Sequence, residues 1–316
     1  MKYYSIEFKE RSGGKLRIFN NPSSELRNLI NETSEKLRVL FPELKSPSRT
    51  AQSLRDIEAY KIFYYVHFMD VQQALLRGNV VIIAIYLMLI SPRSIFLLPN
   101  ILKIYFAEVR NDKGEIVKGR SNSLKGGFRT SSELLELCFQ SHLKFFNRHL
   151  GFGQLYVDDV VLFSDNLFCL RIFIVLMKIH FSILGFKFHK CEQYSLREKP
   201  RKCGQRLGLL FGFRNGMLIT QVRAKALRKY LGRIKSMAYS KNSSRAFQKI
   251  SHALYGAIDP PAYPLYATFD RRIWLDSIQR NKFFSQVVNV LKRRFPELRK
   301  LNKEKIASFL WGHSYI

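Results

Sequence analysis

Asp158 and Asp159 are adjacent carboxylates set between two apolar runs, Gly153-Gln154-Leu155-Tyr156-Val157 and Val160-Val161-Leu162-Phe163. Runs so rich in β-formers read as the arms of a hairpin whose two-residue turn carries both aspartates. Two like charges at a tight apolar turn repel each other and are costly to desolvate. A divalent cation removes that conflict, and hard oxygen ligands of this kind suit magnesium. A turn with two solvated carboxylates is the plain alternative, since Asp is a common turn residue. The apolar flanks favour the metal.

Tyr156-Val157-Asp158-Asp159, followed by Val-Val-Leu-Phe, resembles the Tyr-x-Asp-Asp hairpin of reverse transcriptases. A polymerase of that kind needs a third carboxylate from another strand. Two cations must be held a few ångströms apart to activate the primer 3′-hydroxyl and stabilise the leaving pyrophosphate. From Ala59 to Ala107 the only acidic residue is Asp70, at the end of Phe63-Tyr64-Tyr65-Val66-His67-Phe68-Met69. That segment has the pattern of a buried strand. A lone carboxylate after a strand is commonly a helix cap or turn residue. Its place 88 residues before Asp158 matches the first aspartate of the family. The resemblance therefore implies that Asp70, Asp158 and Asp159 are catalytic. Asp70 and Asp158 would bind Mg²⁺ (or Mn²⁺) directly, with Asp159 supporting them.

Further segments resemble the family in the order it uses. Gly14-Lys15-Leu16-Arg17-Ile18-Phe19-Asn20-Asn21-Pro22 is similar to the finger hairpin of bacterial reverse transcriptases, which implies that Arg17 approaches the incoming triphosphate. Leu124-Lys125-Gly126-Gly127-Phe128-Arg129-Thr130-Ser131 resembles the Leu-Pro-Gln-Gly-x-x-x-Ser loop, where a glycine such as Gly127 lets backbone approach template base and nucleotide. A plain turn into a helix starting near Ser131 is the competing reading of Gly126-Gly127. Gly185-Phe186-Lys187-Phe188-His189-Lys190 resembles the segment that supplies a lysine near the pyrophosphate. Lys190 is the candidate and Lys187 the alternative. Arg206-Leu207-Gly208-Leu209 is similar to the primer-grip strand. The aromatic pair that follows the first aspartate in the family is replaced by Ala74-Leu75. Leu75 stands where the steric gate against a ribose 2′-hydroxyl belongs, so weaker sugar discrimination is expected.

These residues need elements to hold them. The expected fold is α+β, a right-hand polymerase with fingers, an antiparallel-sheet palm and a helical thumb. Fingers and palm would span 1–219, and a basic helical thumb with its extension 220–316. Leu227, Leu231 and Ile234 form an apolar stripe at helical spacing. Arg223, Lys225, Arg228, Lys229, Arg233 and Lys235 occupy the rest of that surface, and no acid stands between Arg223 and Lys241. Such a face repels itself unless a phosphate backbone relieves it. Arg223, Arg228, Lys229 and Arg233 are the nucleic-acid-binding candidates. Ser46-Pro47-Ser48 and Asp259-Pro260-Pro261 read as flexible joints.

Composition agrees. The chain has 53 Lys+Arg against 24 Asp+Glu, a net charge of +29. A surplus of that size, spread along the whole sequence, favours a nucleic-acid partner over a membrane surface. Val80 to Ile90 is too short to span a bilayer, and Arg171, Lys178 and His180 interrupt Leu167 to Leu184, which reads as a buried amphipathic helix stopped by Gly185. The N-terminus has no signal-peptide apolar core. The four cysteines show no CxxC spacing, so a reducing cytoplasm is expected. His189, Cys191 and Cys203 fit no standard zinc framework.

The resemblance implies an RNA-directed DNA polymerase of the retron, abortive-infection and defence-associated bacterial group. Its partners would be an RNA template or dedicated non-coding RNA, dNTPs and a DNA product, with a defence effector protein or a second copy of the chain as further associates. The Ala74-Leu75 pair and the missing Asn-Ala-x-x-His element favour the defence branch over a standard retron. The alternatives are a catalytically degenerate RNA-binding protein of the same fold and a mobile-element enzyme resembling group II intron proteins.

Overall fold

A computed structural model describes residues 3–12, 15–44, 49–71, 78–117, 122–239, 250 and 272–306, without the side chains of 10–12, 15–17, 49–50 and 189–190. Gly14, Ser46-Pro47-Ser48, Ala74, Leu75 and Asp259-Pro260-Pro261 lie outside the described residues, as do the side chains of Arg17 and Lys190. The chain divides into two compact units, one of residues 1–47 and 63–193, the other of 48–62 and 194–316.

In the first unit, β1 (Tyr4–Ser12) and β2 (Lys15–Pro22) form an antiparallel hairpin. Helix α1 (Ser24–Leu40) follows, its cap Ser23 accepting the Leu26 N–H. Strand β3 (Tyr65–Val71) leads to α3 (Val80–Ile90), α4 (Leu98–Tyr105) and β4 (Glu108–Arg110), which pairs parallel to β1. Then come α5 (Arg129–His149), β5 (Phe152–Tyr156), β6 (Asp159–Ser164), α6 (Leu167–Ile183) and β7 (Phe188–Ser195). The strands make a three-stranded sheet, β2-β1-β4, and a four-stranded one, β5-β6-β3-β7.

The two-residue period of β3 and β6 decides which face meets the helices. Met69 and Val71 on β3, and Val160 and Leu162 on β6, join a core with Leu134, Phe139 and Phe146 of α5 and Phe173, Met177 and Phe181 of α6. The Phe139 and Phe181 rings stand 4.1 Å apart. Burying one such side chain stabilises the unit by about 1.5–3 kcal/mol. Gly153 lets α5 approach β5, because a Cβ there would meet Leu143 and Leu162 at 2.9 Å. Both apolar stretches of the sequence are helices of this unit. Among the described residues no helix is long and apolar enough to cross a membrane. Gly185, with φ of 87°, follows the C-cap of α6 as its stop.

In the second unit, α2 (Arg49–Ile62) packs with the sheet β10-β9-β8, made of β8 (Gln205–Arg206), β9 (Leu209–Arg214) and β10 (Met217–Val222). Tyr60 stacks on Phe211 with ring centroids 4.6 Å apart and donates its hydroxyl to the Cys203 carbonyl at 2.9 Å. Arg206 is buried, with Asp56 at 2.6 Å and Gln52 at 2.8 Å. Helices α7 (Ala224–Ala238) and α8 (Ser277–Arg294) also belong to this unit, and Asp276 caps α8 by accepting the Gln279 N–H. The segment expected as one primer-grip strand is instead a hairpin. Leu207 (φ 52°) and Gly208 (φ 85°) form its two-residue turn, and positive φ at both positions is the conformation that fits strand twist. All four cysteines are free.

Candidate active site

The hairpin around the two aspartates forms as expected, with one correction. Its turn residues are Val157 and Asp158, while Asp159 opens β6 and pairs with Tyr156. The turn therefore carries one carboxylate and the strand the other. Val157 has φ of 59°, an outlying conformation for a β-branched residue. Asp70 also differs from its expected place, lying inside β3 rather than after it.

That shift creates the central feature of the site. Asp70 and Asp159 are direct Cα partners across β3 and β6. The Val71 N–H donates to the Asp158 carbonyl at 3.2 Å. Hydrogen-bonded and non-hydrogen-bonded pairs alternate along an antiparallel ladder, so Asp70 and Asp159 occupy a non-hydrogen-bonded pair, where side chains stand closest. Tyr156, Asp159 and Asp70 thus form one row across three strands. Met69, Val71 and Val160 point to the helical core, so the alternation puts this row on the opposite face. All three aspartates are half-buried.

Like charges directly opposite one another destabilise a sheet, and a bound cation is one way of relieving that repulsion. The donor set is of hard oxygens, which suits magnesium rather than a soft metal. Among the described residues no three His, Cys, Asp or Glu side chains already form a metal cage.

The glycine loop is placed by a different contact from the one its sequence implies. Gly126 accepts the Asn20 N–H through its carbonyl at 2.7 Å. A Cβ at Gly126 would lie 2.4 Å from the Ile18 carbonyl oxygen, and one at Gly127 2.9 Å from that of Asn20. The space these glycines leave is filled by β2, the strand that carries Arg17. On the same loop Lys125 is buried and donates its Nζ to the Ala107 carbonyl at 3.0 Å. Burial pulls its pKa down to about 8. The helix after the loop starts at Arg129, two residues earlier than expected.

Lys190 lies in β7, the neighbour of β3, and Lys187 is exposed just before that strand. In the second unit, α7 buries Tyr230, Ile234 and Ala238, with Leu227 and Leu231 half-buried. Arg223, Lys225, Arg228, Lys229, Arg233 and Lys235 are all exposed. The left-handed backbone of Val157 escaped the sequence reading, since nothing in a valine signals positive φ.

No protein-family model matches the chain, and no curated protein does. Solved structures do. Telomerase from Candida tropicalis in complex with a TWJ fragment of telomeric RNA superposes with a TM-score of 0.53 at 12% identity, over 97% of this chain and 64% of that one. Telomerase from Candida albicans in complex with a TWJ fragment of telomeric RNA gives 0.53 at 8% identity, over 98% and 64%. The apo enzyme from Candida tropicalis gives 0.50 at 11%, over 97% and 67%. The chain spans about two-thirds of the length of these telomerases. At such identities the likeness shows the fold alone: an α+β polymerase fold of the reverse-transcriptase type.

Proposed function

We propose that this chain is an RNA-directed DNA polymerase that works by divalent-metal catalysis at Asp70, Asp158 and Asp159. The observation that carries the reading is the cross-strand pair of Asp70 and Asp159 beside the Asp158 turn, on the sheet face away from the helices. Asp70, Asp158 and Asp159 would hold Mg²⁺ or Mn²⁺. Magnesium is usually bound by one or two carboxylates plus water and substrate phosphates, so the site needs no preformed three-residue cage. When bound, the metals would supply activation of the primer 3′-hydroxyl and charge neutralisation at the leaving pyrophosphate. The residues of the chain fix the positions: β3 and β6 present the facing carboxylates, and the turn presents the third. Arg17 and Lys190 would meet the triphosphate, and Leu75 the sugar. The basic face of α7 would track the RNA backbone within a thumb of 220–316. RNA as the polyanion is supported by the net charge of +29 and by the RNA-bound telomerases of similar fold. Phage defence with a dedicated non-coding RNA is the setting favoured by the departures from the retron pattern taken together, the missing Asn-Ala-x-x-His element among them, whereas Ala74-Leu75 alone is the feature that favours the non-catalytic alternative.

The test is primer extension on an RNA template with Mg²⁺. Asp158→Asn should lower incorporation on the order of 100-fold or more, the scale of losing one preorganised electrostatic contact. Incorporation at the wild-type rate in this variant would remove the hairpin from the chemistry. RNA binding without any incorporation by the wild type would support the non-catalytic binding protein instead.

A further inference from the structure

Helix α6 is apolar on both faces. One face packs in the core through Leu170, Phe173, Ile174, Met177 and Phe181. The other exposes Phe168 (72%), Ile172, Val175, Leu176 (58%), Ile179 and Ile183. At 3.6 residues per turn these six fall in one stripe along the whole helix. Helix α3 runs antiparallel beside it, since the Asn79 N–H donates to the Leu184 carbonyl at 3.0 Å and the Tyr86 and His180 rings meet at 4.9 Å. It adds the exposed Ile85 and Leu89 (79%). Isolated apolar residues on a surface are ordinary, but a contiguous two-helix patch marks an interaction site.

We propose that the α3–α6 face docks an amphipathic protein helix carrying carboxylates along one edge. The charges around the stripe choose this occupant. Arg171 and Lys178 are exposed, seven residues apart, and helical geometry puts both on the same border of the stripe. The other border is the one where His180 meets Tyr86 of α3. Neither α3 nor α6 contains an acid. A second copy of the chain is therefore a poor occupant. Antiparallel self-pairing sets like edges together, so Arg171 and Lys178 would face their own counterparts. Parallel self-pairing would press them against uncharged α3 and desolvate them. An anionic membrane is disfavoured too, because lipid attraction of useful strength needs clusters of four or more cations rather than two. A helix with an apolar stripe and two acids seven residues apart satisfies both the face and its border.

The probe is a fluorescent 17-residue designed helix, the length of α6, with a leucine stripe and Glu at two edge positions seven apart. A control peptide has Lys at those two positions. The Glu peptide should bind the full chain about tenfold more tightly than the control, the scale of two rim charge contacts. Leu176→Ser with Ile179→Ser should abolish binding of both, with thermal melting reporting that the variant is folded. Arg171→Glu with Lys178→Glu should invert the preference, a result that mere stickiness would not give. Equal binding of the two peptides, or none, overturns the proposal. So does vesicle flotation, or dimerisation in sedimentation, that Leu176→Ser with Ile179→Ser removes without any peptide preference in the wild type. RNA binding and primer extension should not change in these variants.

Discussion

At the scale of single residues, the site combines charge and strain. Val157 is β-branched and left-handed, a conformation that costs about 1–3 kcal/mol outside glycine. Val157→Gly should therefore stabilise the protein by about 1 kcal/mol after the entropy cost of glycine, seen as a higher denaturation midpoint in urea. An unchanged or lower midpoint would mean that the turn relaxes around valine without strain. On the other face of β3, His67 is 6% exposed, and neither ring nitrogen has a hydrogen-bond partner. Burial, helped by the Lys178 charge, pulls its pKa down to about 4. A histidine kept neutral in the fold, with an ordinary value near 6.5 when unfolded, binds more protons in the unfolded state between those values. Its contribution is complete above about pH 6.5 and is lost as pH falls towards 4, by up to roughly 3 kcal/mol. Unfolding free energies measured across that window should fall with acid, and His67→Leu should flatten the fall. A parallel slope in the variant would assign the acid sensitivity elsewhere, with His142, also pulled down to about 4 by burial, the next group to replace.

At the scale of elements, two helices differ in how far their sequences gave them away. Helix α7 carries its cations outward and its apolar stripe inward, as the spacing implied, although Tyr230 and Ala238 are buried more completely than Leu227 and Leu231. If this face follows a phosphate backbone, Arg228→Ala with Lys229→Ala should reduce the log-log salt slope of RNA affinity by about two units, roughly one per lost contact. An unchanged slope would take the helix off the RNA. Helix α6 reads as a buried amphipathic helix, yet its second apolar face is exposed. The pattern of one segment cannot say how many neighbours will cover it, and here α3 and α5 leave one side bare.

For the whole molecule, a charge of +29 makes the free protein repel itself. Salt should then act in opposite directions on two observables. Added NaCl should raise the melting temperature of the free protein by screening that repulsion. In the presence of RNA the same addition should shrink the stabilisation that RNA gives, since salt drives the complex apart. A melting temperature that falls with salt in both states would place the excess charge in local ion pairs rather than in a general surplus.

Local spacing in the sequence by itself determined the hairpin and the cationic helix, while the three candidate aspartates and the α+β polymerase fold came as what the resemblance of successive short segments to reverse transcriptases implies. Asp158-Asp159 between apolar runs needs only neighbouring residues to be read. Tertiary structure decided the rest. The register between β3 and β6, strands far apart in sequence, makes Asp70 and Asp159 face each other. The hairpin's own register left one aspartate in the turn and sent the other into the strand. Gly126 and Gly127 read as room for close backbone approach to a ligand, and the tertiary structure adds a separate demand on them, the close approach of the β2 backbone. Lys125, a cation in a polar-looking loop, is buried because the Ala107 carbonyl lies within its reach. Local patterns specify elements; only packing between distant segments fixes which side chains share a face.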